Sequence, residues 1–226
     1  MSNFRFTRPD RFPPIVKNLI IINVLVWIAQ LIYDKQDGIA TMWLTQKLAL
    51  FPIGDHNFHP YQVATHMFSH SSYIATEGHP QGRIFLFHIL FNMFALWMFG
   101  RILENIWGAK RFLFFYLACG VGAAATHLLM QYLMGGNAPV VGASGAVMGV
   151  IVAFGYLFPN TELMIIPIPI PIKAKWLVMI YIAIDLFGGL GQISGDNIAH
   201  FAHLGGALTG FLIVLYWNKT NRKTLY

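Results

Sequence analysis

Val141-Gly142-Ala143-Ser144-Gly145-Ala146-Val147-Met148-Gly149 opens an apolar run that reaches about Phe158. Small residues flank a single hydroxyl. Glycine on both sides lets backbone or substrate approach Ser144 closely, and the first turn of a helix leaves its N–H groups free to stabilise an oxyanion. The spacing of Gly145 and Gly149 equally makes a small-xxx-small packing stripe to which Ser144 merely belongs. On this stretch alone the two readings balance. The far end of the chain tips them, because His200-Phe201-Ala202-His203-Leu204-Gly205-Gly206-Ala207-Leu208-Thr209-Gly210 places histidines at the start of another run of membrane length.

Around these stretches, 56% of the 226 residues are hydrophobic and 11% charged. Soluble chains carry about 25% charged residues, so the composition describes a polytopic membrane protein built as one membrane domain. The basic segment before residue 18 is followed by an apolar run without a small-residue cleavage site, which reads as an uncleaved first span. Cys119 is the only cysteine, so no internal disulfide can form. The formal charge of +6 is spread over loop ends instead of gathered on one face. It is a topology signal, and no nucleic-acid partner is expected.

Apolar runs able to cross about 30 Å of hydrocarbon cover residues 18–33, 84–103, 112–134, 143–158, 176–190 and 198–217. Placing the amino terminus in the cytoplasm puts Arg5, Arg8, Arg11, Lys17, Arg101, Lys110, Arg111, Lys173, Lys175, Lys219, Arg222 and Lys223 on the cytoplasmic side. Only Lys35, Lys47 and Arg83 are then external. The expected fold is an all-α membrane protein of six transmembrane helices with both termini cytoplasmic. Residues 1–17 form a cytoplasmic segment, 18–217 the membrane domain and 218–226 a cytoplasmic tail. Within the domain, residues 34–83 make a long external loop, where 41–50 and 61–68 read as short helices lying in the outer interface. Residues 159–175, with Pro167, Pro169 and Pro171 alternating with isoleucines, cannot form a regular helix and read as an extended cytoplasmic connector.

In this topology the second, fourth and sixth spans all enter from the outer face. His88 and Asn92, Ser144, and His203 therefore reach a common depth, within about two turns of their helix starts. His88 and Asn92 are four apart and share a helix face. His203, Gly206 and Gly210 make a stripe, and Gly145 with Gly149 offers the matching small surface for a close serine–imidazole approach. Intramembrane polar groups are costly and mark functional interiors, so four at one depth outweigh the reading of each as a packing hydrogen bond. His200 lies on nearly the same face as His203. The glycine stripe favours His203 as the general base and leaves His200 a solvated, pathway-lining or loop-contacting role.

The Gly142-Ala143-Ser144-Gly145 motif, the His203-x-x-Gly206-x-x-x-Gly210 motif and the His88-x-x-x-Asn92 pair, in this order, resemble the rhomboid family of intramembrane serine proteases. The resemblance covers roughly residues 61–217 and implies a rhomboid-like six-helix bundle. It implies that Ser144 is the nucleophile and His203 the general base, and that Asn92 and His88 help to hold the oxyanion. Family members often carry Trp-Arg where this chain has Tyr61-Gln62.

The expected function is that of an intramembrane serine endopeptidase, cleaving the transmembrane segments of other membrane proteins near the outer leaflet through a Ser–His dyad. No cofactor or metal is implied, the partners are transmembrane substrates and the lipid bilayer, and a bacterial inner membrane is the expected location. Asp185 is the only carboxylate within a span; it reads as a helix-packing partner, with a third catalytic member as the alternative. Three rival functions stand beside this one. A transporter would need polar groups crossing the whole bilayer, whereas these gather in one leaflet. A metalloprotease could use His66 and His70, or His200 and His203, but there is no His-Glu-x-x-His sequence. A catalytically silent relative would only bind membrane helices.

Overall fold

The computed structural model describes residues 9–76, 79–135, 137–165, 168–191 and 200–220. Arg5, Arg8, Arg222 and Lys223 of the charge argument, Pro167 of the connector and the first residues of the sixth expected span lie outside them. The helix order is α1 (Pro14–Tyr33), α2 (Trp43–Leu48), α3 (Gln62–Thr65), α4 (Leu86–Ala95), α5 (Arg101–Trp107), α6 (Ala109–Met134), α7 (Ser144–Leu157), α8 (Ala174–Gly191) and α9 (His200–Thr220). A π-helical turn, Leu96–Gly100, joins α4 to α5, making one continuous apolar helix of 22 residues, Leu86–Trp107.

Among the described residues, four helices are long and apolar enough to cross a membrane: Pro14–Tyr33, Leu86–Trp107, Ala109–Met134 and His200–Thr220. The fourth and fifth expected runs appear as α7, with 14 residues, and α8, with 18. The shortness of α7 has a physical reason. Eleven of its 14 residues are buried, so it is enclosed by other helices and need not match the thickness of a lipid core.

The close packing of α6, α7 and α9 rests on absent side chains. A Cβ on Gly145 would press on Ala123 of α6 and lie 3.2 Å from the Ala202 carbonyl of α9. One on Gly206 would run into the Gly145 carbonyl, and one on Gly210 would lie 2.8 Å from Gly149 Cα. The two glycine stripes expected from the sequence thus face each other with backbone against backbone. On α6 the buried residues Phe112, Phe115, Tyr116, Cys119, Gly120, Ala123 and Ala124 recur at helical spacing, and Cys119, Gly120 and Ala123 among them lie against α7.

α1 is fixed at both ends by buried polar groups. Its first turn holds no acidic residue, and Glu104 of α5 supplies one, accepting from the N–H groups of Ile15 at 2.8 Å and Val16 at 2.7 Å. This carboxylate meets the orphan donors at the positive end of the helix dipole. At the other end, Gln30 donates to Thr45 and Ser69 and accepts from the His70 N–H at 3.0 Å. Asp34, fully buried, accepts from the N–H groups of Leu44 and Thr45 and from the Ser72 hydroxyl.

The loop after α1 is consequently built structure. It contains the two short helices expected, α2 and α3, the latter continued by a 3-10 turn at His66–Phe68. It also contains two hairpins that were not expected: β1 (Lys35–Gln36) with β2 (Ile39–Ala40), and β3 (Tyr73–Thr76) with β4 (His79–Ile84). Gln62, where family members often carry arginine, is fully buried. It accepts from the N–H groups of Phe51 and His59 and donates to the Asn57 carbonyl. Of the expected connector, β5 (Glu162–Ile165) and β6 (Ile168–Lys173) are extended, and they pair with each other antiparallel, while Ala174 and Lys175 already belong to α8. The alternation of helix directions brings Glu104, Trp107 and Trp217 to one end of the bundle with the start of α1. The loop after α1 meets the segment before α7 at the other end, through a bridge between Leu50 and Val140.

Candidate active site

Ser144, His88 and His203 each fall in the first turn of their helices, α7, α4 and α9, at the loop-bearing end of the bundle. Asn92 lies one turn deeper in α4. The backbone turns sharply just before Ser144: Gly142 has φ +128°, a conformation open to glycine but not to ordinary side chains. A Cβ at Gly142 would lie 2.9 Å from His88 Nε2 and 3.4 Å from Ser144 Oγ. Glycine therefore keeps open the small space that the imidazole edge and the serine hydroxyl share.

The protonation pattern of His88 follows from its partners. The Ser71 N–H donates to His88 Nδ1 at 3.2 Å, so Nδ1 is the acceptor nitrogen of a neutral ring. Nε2 then carries the hydrogen and presents a donor toward the side of Ser144. Asn92 is buried, and its amide nitrogen donates to the His88 carbonyl at 2.9 Å, one turn back along α4. That bond occupies one of its two amide hydrogens and leaves the second for a ligand.

His70 joins this group from the loop after α1. It lies edge-on to His88 with ring centroids 5.0 Å apart, and the Ala143 N–H points to its Nε2 at 3.5 Å. Burial, with a smaller contribution from neighbouring His88, pushes its pKa down to about 3, so the ring is neutral at physiological pH. His66, its partner in the metal reading, turns elsewhere: its Nδ1 meets the Gln62 carbonyl, while its own carbonyl accepts from the Gly142 N–H at 2.9 Å. The two histidines brace the turn before Ser144 and do not converge on a common point.

His203 is partly buried, its side chain 16% exposed. The seam of Gly145 against Ala202 and Gly206 brings the backbone on either side of His203 against the residue after Ser144. No hydrogen bond joins Ser144 to His203 in this resting arrangement. The nitrogen of His203 that is engaged is Nδ1, 2.9 Å from Asp185 Oδ1 of α8. His200 Nδ1 lies 2.9 Å from the same oxygen.

Asp185 pairs α8 with α9, and the partner it meets is the ring of His203. One expectation changes here. His200 is buried, not solvated, at 7% exposure. A signal for both was present in the sequence. Asp185, Gly188 and Gly189 lie on one face of α8, and Cβ atoms on the two glycines would strike the rings of His200 and Phe201. That face meets the first turn of α9, but a pairing between two spans joined by residues 192–199 is not visible in either span alone.

Residues 57–219 match a family model described as a Rhomboid domain. The chain is 36% identical over 132 residues to the human mitochondrial presenilin-associated rhomboid-like protein, a match covering 58% of this chain and 34% of that one. It is 31% identical over 139 residues to the mitochondrial rhomboid protein 1 of Saccharomyces cerevisiae, covering 60% and 39%. It is 34% identical over 125 residues to the rhomboid protease GluP of Bacillus subtilis, covering 55% and 22%. The matched stretch thus spans well under half the length of each relative. The expected bacterial inner membrane finds no support in the animal and yeast relatives, which are mitochondrial proteins.

Proposed function

The chain belongs to the rhomboid family, and from that premise we propose that it is an intramembrane serine endopeptidase. Ser144 is the nucleophile, His203 the general base, and His88 and Asn92 the oxyanion donors. The observation that carries this reading is the backbone-to-backbone seam between α7 and α9, which sets the start of α7 beside the first turn of α9 while Gly142 opens the space toward His88.

In this mechanism the substrate carbonyl enters the space beside Gly142. Ser144 Oγ attacks the carbonyl carbon as His203 Nε2 takes its proton, and the carbonyl oxygen gains negative charge. His88 Nε2–H, the second amide hydrogen of Asn92 and the free N–H groups at the start of α7 are the donors available to that charge. His203 returns the proton to the leaving amine. Water then cleaves the acyl-enzyme, entering from the loop-bearing end. A helical substrate hides its carbonyls in its own hydrogen bonds, so segments weakened by glycine or proline are the preferred class. The chain spans the membrane six times with both termini cytoplasmic, and its partners are transmembrane proteins.

A second reading, a family member that binds membrane helices without cutting them, is favoured by one observation: Ser144 and His203 are not hydrogen-bonded at rest. Catalytic hydrogen bonds often tighten only when substrate is bound, which keeps the protease reading ahead. A fluorophosphonate probe on the purified protein separates the two. The protease labels at Ser144, indifferently to chelators, and labelling disappears in Ser144→Ala and His203→Ala. Absence of labelling and of proteolysis in the folded wild type establishes the silent binder.

A further inference from the structure

Asp185 is the carboxylate among the described residues that lies inside the bundle close to the proposed reactive group, and its exposure is only 4%. A charged side chain at that depth is costly unless hydrogen-bonded and paired. Its Oδ1 receives two imidazole nitrogens, His203 Nδ1 and His200 Nδ1, each at 2.9 Å. These are hydrogen-bond lengths, and because an ionised carboxylate can only accept, each Nδ1 that meets it carries an N–H. For His203 the consequence is specific. With its hydrogen held on Nδ1 by the carboxylate, the basic lone pair is on Nε2, the nitrogen on the far side of the ring.

The contacts around this group are themselves built for it. The ring of His200 sits over Gly188, one turn beyond Asp185 on the same face of α8, where even a methyl group would collide with Cδ2, Cε1 and Nε2. Gly189 makes the same allowance for Phe201. The α8 face Asp185-x-x-Gly188-Gly189 therefore admits the first turn of α9 at close range and delivers the carboxylate between its two histidines. Among the described residues, His88 of α4 also lies near His203.

We propose that Asp185 is a positioning residue for His203, fixing its tautomer and ring orientation, and that His200 is the second donor that holds the carboxylate in place. The proposal rests on the reading of His203 as general base and Ser144 as nucleophile. It extends the reactive pair into a relay of Asp185, His203 and Ser144 with His200 as a buttress. Asp185 itself does not touch substrate.

The test uses the full chain in detergent, with histidine ring nitrogens labelled by ¹⁵N, and compares wild type with Asp185→Asn, His200→Gln and Ser144→Ala at matched thermal stability. Ring-nitrogen shifts report the tautomer of His203, a property that a merely structural role for Asp185 leaves alone. The expected result is the Nδ1–H tautomer in the wild type and its loss in Asp185→Asn. The fluorophosphonate labelling rate and kcat should then fall by about 10²-fold or more, with KM changed less than about threefold. His200→Gln should keep the tautomer and lose less than about tenfold in rate. An unchanged His203 tautomer in Asp185→Asn, or a labelling rate within about threefold of wild type, overturns the proposal. Labelling that survives in Ser144→Ala instead overturns the nucleophile assignment, and the tautomer measurement still decides the role of Asp185. Loss of labelling on adding a chelator would identify the three side chains as metal ligands and overturn the hydrogen-bonded arrangement.

Discussion

A single amide decides how much of the oxyanion stabilisation comes from side chains. Asn92 gives one N–H to the His88 carbonyl, and the second is the one available for catalysis. If it serves the oxyanion, Asn92→Ala lowers kcat by about 10² to 10³ with KM little changed, the usual loss for one such donor. A kcat above half of wild type would place Asn92 in helix structure alone. His70 makes a prediction of another kind. Its folded pKa, about 3, lies below the unfolded value of 6.5, because burial opposes its charge. Its neutral form is fully compatible with the fold above pH 6.5, and protonation of the unfolded chain draws stability away as pH falls from 6.5 toward 3. The slope is on the order of 1.4 kcal/mol per pH unit at most. The melting temperature of the wild type should fall more steeply over this window than that of His70→Gln, and parallel curves would refute the assignment. Among single residues, the placement of Ser144, His88 and His203 near helix starts was legible in the sequence. His70 was legible only as a spacing, because its role depends on a loop folding back over α4.

At the scale of elements, the α7–α9 contact is the feature most exposed to test. Gly206→Ala would drive a methyl group into the Gly145 carbonyl, a backbone atom that cannot swing away. The cost of overpacking such a contact is about 1 to 3 kcal/mol. The variant should unfold at a lower temperature and lose activity together, and retention of both would mean that the helices can part without consequence. This contact was readable in advance, since glycines at i, i+3 and i+4 spacing advertise a helix face that accepts another backbone. The hairpins β1–β2, β3–β4 and β5–β6 were not. Their strands are two to six residues long and their registers are set by turns and cross-strand partners, which leave little periodic trace in sequence. The Ile–Pro alternation of residues 168–172 excluded a helix, yet gave no sign that the segment would pair with β5.

For the whole molecule, lysine and arginine asymmetry gives an orientation that contacts between helices cannot give. A reporter fused after Tyr226 should respond as cytoplasmic, and one inserted near Gly136 as external; both on the same side would exclude six spans. Helix count was legible where runs were long and apolar throughout, as in α1, α6 and α9. It was less so for α7, whose length reflects enclosure by its neighbours and not the thickness of a bilayer.

The family match begins at residue 57, well after α1 has ended. Yet α1 and its C-cap hold the following loop through Gln30 and Asp34 at one end, and α1 is itself held through Glu104 at the other. Homology and autonomy thus part company in this chain. A gene fragment cut at the edge of the recognisable family segment would encode every residue of the proposed Ser–His pair while stripping Glu104, Ser69 and Ser72 of buried partners. Expression boundaries for biochemical work belong upstream of Asp10, and a separately synthesised segment of residues 10–56, which carries α1 together with Asp34, should be able to complement the truncated remainder in the same membrane.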